Sequence, residues 1–152
     1  MAITASGLFV QTVVDVLDAT QLAVDLSLTT NKWAMFTNSV TPDFSATSPV
    51  PAYGVSPFDA NEVSGTGYTS GGTVTASPTI TVSSGSLVYD QADTSWSTST
   101  ITNARGALLY SDALAGNNAI VLVNFGADYS TSAGTFTIQW NASGVFVLDL
   151  TP

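Results

Sequence analysis

The amino-acid sequence predicts an all-β, single-domain β-sandwich, jelly-roll-like or barrel-like, with about eight or nine short strands and one N-terminal helix. Three observations predict it. Short alternating or continuous apolar runs recur from residue 22 to residue 150, punctuated by Gly, Pro, Asn and Ser, as in sandwiches and barrels. Only one segment has helical periodicity. The length of 152 residues suits one domain, large enough to fold without a disulfide or structural metal.

Residues 6–19 are the helix candidate, with Ser6 placed to cap it. Phe9, Val13, Val16 and Leu17 share a face, but Val10 and Val14 make the opposite side apolar too. An element that is apolar all round is a buried one, so a neighbouring chain is expected to cover it. Residues 1–20 therefore read as an apolar arm or helix making an assembly contact, and residues 21–152 as the sandwich. Deleting residues 1–19 is expected to abolish assembly and leave a folded β domain.

Leu22–Leu28 alternates and reads as a half-buried strand. Thr29–Lys32 turns it into a second strand, Trp33–Thr37. Residues 41–61 hold Pro42, Pro49, Pro51 and Pro57 and read as irregular, and so long a loop is commonly functional or partner-bound. Short strands are expected at 72–76 and 79–82, broken by Pro78 and hence at a sheet edge, and again at 86–89. Thr94–Thr98 is polar apart from Trp96. The runs at 104–110 and 119–125 are the most apolar, which suits strands covered on both faces. Phe136, Ile138 and Trp140 alternate with Thr135, Thr137 and Gln139, and Asn141–Gly144 is expected to fold this strand into a hairpin with 145–150.

Between the proline-rich run and these strands lies Glu62–Gly72, with four glycines and one tyrosine in eleven residues. Glycine is favoured where φ is positive or the backbone approaches something closely. A shaped loop is expected, its path set by Gly65 and Gly67 and its anchor Tyr68, ring inward and hydroxyl left for a partner.

Only 9% of residues are charged, against 45% hydrophobic. The polar surface is therefore mostly Ser, Thr, Asn and Gly, which is easier to desolvate than an ionic one. That fits extensive subunit contact, and it equally fits a Ser/Thr-rich β domain of extracellular type. Lys32 and Arg105 are the sole cations against eleven acids, for a net charge of −9. Phosphate backbones and anionic lipid both require several cations, so neither nucleic acid nor membrane is an expected partner. With no Cys and no His, thiol catalysis, a His-based triad and a Cys/His zinc site are excluded by inventory. The N-terminus carries no basic residue or sustained apolar region, so no Sec leader is expected and synthesis in the cytoplasm is.

No constellation points to catalysis. Gly65 and Gly67 lack the lysine and following helix of a phosphate cradle. Asp59, Glu62, Asp90 and Asp93 offer hard oxygens but not the spacing of a calcium loop; no cofactor or metal is expected. Lys32 sits in a turn, where a lone lysine is solvated rather than a base for serine. Arg105 opens an apolar strand and is expected to pair with a carboxylate, either within the fold or across a subunit border.

Glu62-Val-Ser-Gly-Thr-Gly-Tyr68, followed by a glycine pair, resembles a loop in small virion structural proteins of tailed bacteriophages. Trp33–Asn38, Ala92–Trp96, Ile101–Tyr110 and the segment from Gly134 to Leu150 resemble further segments of those proteins, in the same order, so the likeness spans about residues 20–150. The family pattern often has an aromatic after the arginine, where this chain has Gly106. The resemblance implies a head decoration or minor capsid protein that binds the outer shell as a homo-oligomer, with a trimer the favoured number and the major capsid protein as partner. A tail-associated role in tube, baseplate or fibre base is the alternative, with a tail protein as partner. Location in the virion follows for either. Leu8, Phe9, Val10 and Val13, with Phe44, Tyr53 and Phe58 of the proline loop, are the expected contact residues, and Arg105 is a candidate border pair. A third reading, a carbohydrate-binding module, rests on Tyr53, Tyr68 and Trp96 as exposed aromatics.

Overall fold

The computed structural model describes residues 2–151 and is all-β apart from one short helix. In chain order the elements are β1 (Gly7–Leu8), α1 (Val10–Leu17), β2 (Lys32–Phe36), β3 (Thr73–Val74), β4 (Thr79–Ser83) and β5 (Ser86–Asp90). They continue with β6 (Thr94–Ser99), β7 (Ala104–Tyr110), β8 (Ala119–Tyr129), β9 (Gly134–Ile138) and β10 (Phe146–Asp149). Strand pairing is antiparallel throughout, in a five-stranded sheet ordered β1-β8-β7-β2-β3, a three-stranded sheet β10-β5-β4 and a two-stranded sheet β6-β9.

The five-stranded sheet is the central layer. Trp33 and Met35 of β2 and Ala107 and Leu109 of β7 point to one side, where Tyr89, Trp96, Phe136 and Ile138 of the two smaller sheets meet them. This is the sandwich core. Ala34, Phe36, Leu108, Tyr110 and Leu122 point to the other side and are covered by Ile3, Phe9, Val40 and Phe58. Burial on both faces explains the nearly continuous apolar runs of β7 and β8. Each fully buried aromatic or aliphatic side chain here contributes about 1.5–3 kcal/mol.

The second cover consists of the N-terminal segment and the proline loop, and it overturns two expectations. Phe9 and Phe58 are not exterior contact residues; both are buried. Phe58 meets Phe9 edge-on at 5.7 Å and Phe36 at 5.2 Å, while Phe44 lies half-buried at 5.2 Å from Phe9. Residues 2–20 are also no detachable arm (Met1 lies outside the described residues): Ile3 and Phe9 are fully buried and β1 pairs with Leu122 and Val121 of β8. Truncating them strips one face of the central sheet.

Three local expectations change as well. Ser6 does not cap the helix; its Oγ accepts the Asn124 amide at 2.9 Å, and the N-cap position is Phe9, without a side-chain cap. Leu22–Leu28 keeps its alternating burial only through Leu26, Leu28 being exposed, and it forms no ladder. Its backbone is satisfied locally, with Leu22 N–H donating to Asp15 O and Asn31 Nδ2 to Asp25 O. Finally, Asn141–Gly144 closes its turn through Gly144 N–H to Asn141 O, but the flanking strands separate. β9 pairs with β6 and β10 pairs with β5, so the turn links two sheets instead of making a hairpin.

Candidate functional site

Two surface features stand out, a polar latch and an apolar groove. The latch is built on Glu62, the one glutamate of the chain. Glu62 itself forms an isolated antiparallel bridge with Phe36, which fixes its backbone against the end of β2. Its Oε1 accepts the Tyr68 hydroxyl at 2.7 Å and the Gly71 amide at 2.8 Å. Its Oε2 accepts Ser70 Oγ at 2.7 Å and the Tyr53 hydroxyl at 2.9 Å. A carboxylate has about four lone-pair positions, so this one is saturated and has none left to act as a base.

Around it the backbone is drawn in tightly. Tyr68 Oη accepts the Met35 amide at 2.9 Å, tying the loop to β2. The Tyr110 hydroxyl donates to Gly71 O at 2.9 Å, and the Tyr110 ring stacks on Tyr53 with centroids 4.5 Å apart. Gly65 has φ +140 and Gly67 φ +77, and a Cβ at Gly65 would land on the Thr100 carbonyl oxygen. Gly72, at φ +76, lies against the Trp33 carbonyl in the same way. Burial first, then the Glu62 carboxylate, pushes the Tyr68 hydroxyl far above the ordinary tyrosine range. Burial and then Asp112 do the same to Tyr110. These hydroxyls remain protonated donors, as the latch requires.

The remaining polar candidates are also occupied within the chain. Arg105 Nη1 reaches Asp128 Oδ1 at 3.4 Å and its Nε donates to Ile3 O at 3.2 Å, which is the intrachain one of its two expected pairings. Lys32 Nζ pairs with Asp112 Oδ2 at 2.8 Å. The aromatics considered for glycan binding form no open platform: Trp96 is buried, Tyr68 packs on it at 5.9 Å and Tyr53 lies on Tyr110. Among the described residues no three His, Cys, Asp or Glu side chains converge as metal ligands.

The groove, of about 480 Å³, runs between α1, the 22–28 segment and the three-stranded sheet. Register explains its apolar floor. Ile80, Tyr89 and Phe146 are direct cross-strand neighbours, as are Val82, Leu87 and Leu148, so all six share one face. The other face is mixed, carrying Thr79, Thr81, Ser83, Ser86, Asp90 and Asp149 together with Val88 and Val147. Of the expected contact residues, Leu8 and Val13 line the groove.

The helix wall is oriented unusually. Contrary to the expectation of a helix apolar all round, at 100° per residue Val10 and Val14 lie beside Val16, Val13 and Leu17, not opposite them; the five form one continuous apolar arc, with Gln11, Thr12 and Asp15 on the other side. The side buried against the domain is instead that of Thr12, whose hydroxyl donates to Ala119 O. The arc is left open, with Leu17 80% and Val10 56% exposed. Val16 and Leu17 lie within the 1–20 segment expected to make a contact, though they were not singled out; the sheet residues were not expected, because they lie more than sixty residues from α1. Comparison with protein-family models, with curated proteins and with solved structures finds no match.

Proposed function

We propose that this chain is a non-catalytic structural protein of a tailed-bacteriophage virion, a decoration or minor capsid protein that binds the shell exterior as a homo-oligomer. The observation that carries this reading is the open apolar arc of α1 beside the sheet-floored groove. Contiguous exposed apolar surface on a folded domain marks an interaction site. The saturated Glu62 latch supports a rigid scaffold, since its donors and acceptors are used up in holding loops together. The net charge of −9 favours the outside of a DNA-filled shell, because the packaged phosphates would repel the chain from the lumen.

Quantitative mass spectrometry of purified particles tests this. Hundreds of copies per particle are expected for a head protein. Six to a few dozen would move the chain to the tail, and its absence from particles would overturn the virion reading altogether.

A further inference from the structure

We infer that the groove and the α1 arc form a self-complementary interface, occupied by the same surface of a second copy of this chain across a two-fold axis. The inference rests on the oligomeric assembly proposed above and specifies its contact.

Three observations carry it. The first is area. The five apolar residues of α1 are 38–80% exposed, and Ile80, Val82 and Leu150 are 42–86% exposed, which together is comparable to one partner's share of a standard interface, about 800 Å². The largest patch on a monomer is typically about 300–600 Å².

The second is shape. Leu17, the most exposed apolar residue of α1, belongs to the same helix that walls the groove, so knob and hole lie side by side on one face. Two copies meeting face to face seat each Leu17 in the other's groove. A closed ring would need the two complementary surfaces to face different directions on the subunit. This favours a pair over the trimer implied by the resemblance.

The third is charge. The one ionic side chain lining the groove is Asp25, and its carboxylate already accepts the Ser27 amide at 2.8 Å and the Ser27 hydroxyl at 2.6 Å. The interface itself carries little ionic desolvation. Each copy nevertheless has a net charge of −9, so salt that screens the mutual repulsion tightens the pair. A cationic partner seated on the same surface would be weakened by salt instead.

Analytical ultracentrifugation of the full-length chain tests the inference, at micromolar concentrations in about 0.05 and about 0.5 M NaCl. A monomer–dimer equilibrium that tightens at the higher salt is expected. Leu17→Asp, at a position too exposed to disturb the fold, is expected to raise the dimer dissociation constant at least about tenfold, with an unchanged circular dichroism spectrum. Val147→Ser, on the opposite face of the three-stranded sheet, should leave it unaltered. A wild-type monomer at both salts would overturn the inference, as would a trimer, or a dimer indifferent to Leu17→Asp. Each result is independent of the particle measurement. A monomer found in virions defeats only the pairing, and a dimer missing from virions defeats only the virion role.

Discussion

The Tyr68 hydroxyl donates to Glu62 Oε1 at 2.7 Å while Tyr68 Oη itself accepts the Met35 amide at 2.9 Å. One phenol thus joins the glycine loop to the central sheet at a half-buried position. Removing it leaves a carboxylate oxygen and a strand amide each short of a partner. Unsatisfied groups of that kind cost about 1–3 kcal/mol, more than the bond itself contributes. Tyr68→Phe should therefore lower the free energy of unfolding by about that amount, read as a lower urea midpoint at constant slope. A variant as stable as the wild type would show that the latch does not hold the loop.

Phe9 belongs to the core rather than to an exterior surface, with aromatic contacts to Phe44 and Phe58. Phe9→Ala should destabilise the domain by about 3–5 kcal/mol. Deletion of residues 1–19 should give a chain that no longer melts cooperatively. A truncated protein with a sharp thermal transition would restore the picture of a detachable arm.

Alkaline pH should unfold this protein early. Burial raises the hydroxyl pKa of Tyr68, Tyr89 and Tyr110 in the folded state. The unfolded chain therefore loses these protons first, near the ordinary tyrosine value of about 10. Stability is fully present below that pH and is lost as pH rises through it towards the folded values, by up to about 1.4 kcal/mol per pH unit for each tyrosine. Denaturant titrations between about pH 9 and about pH 11 should show this fall, with a shallower slope for Tyr89→Phe. A flat profile would mean that these phenols ionise freely in the folded protein.

Much of the fold was legible in the residues. Period-two alternation marked β9, short strands were expected where β4 and β5 lie, and the apolar runs at 104–110 and 119–125 announced strands covered on both sides, because such patterns are local and follow from the pleat. Glycines at 65, 67 and 72 marked a backbone pressed against its neighbours, which no side chain tolerates.

What lay beyond the sequence was partnership between distant segments. Alternation in Leu22–Leu28 reports which side is covered, not whether a neighbouring strand supplies hydrogen bonds, and here none does. The turn at Asn141–Gly144 is encoded, yet whether its arms pair depends on competing edges, and β6 and β5 claimed them separately. The arc on α1 is visible as a pattern, but only packing decided that Thr12 faces inward and Leu17 outward. Those choices are settled by which surfaces find cover once the whole chain is folded, a global sum that no short stretch of residues contains.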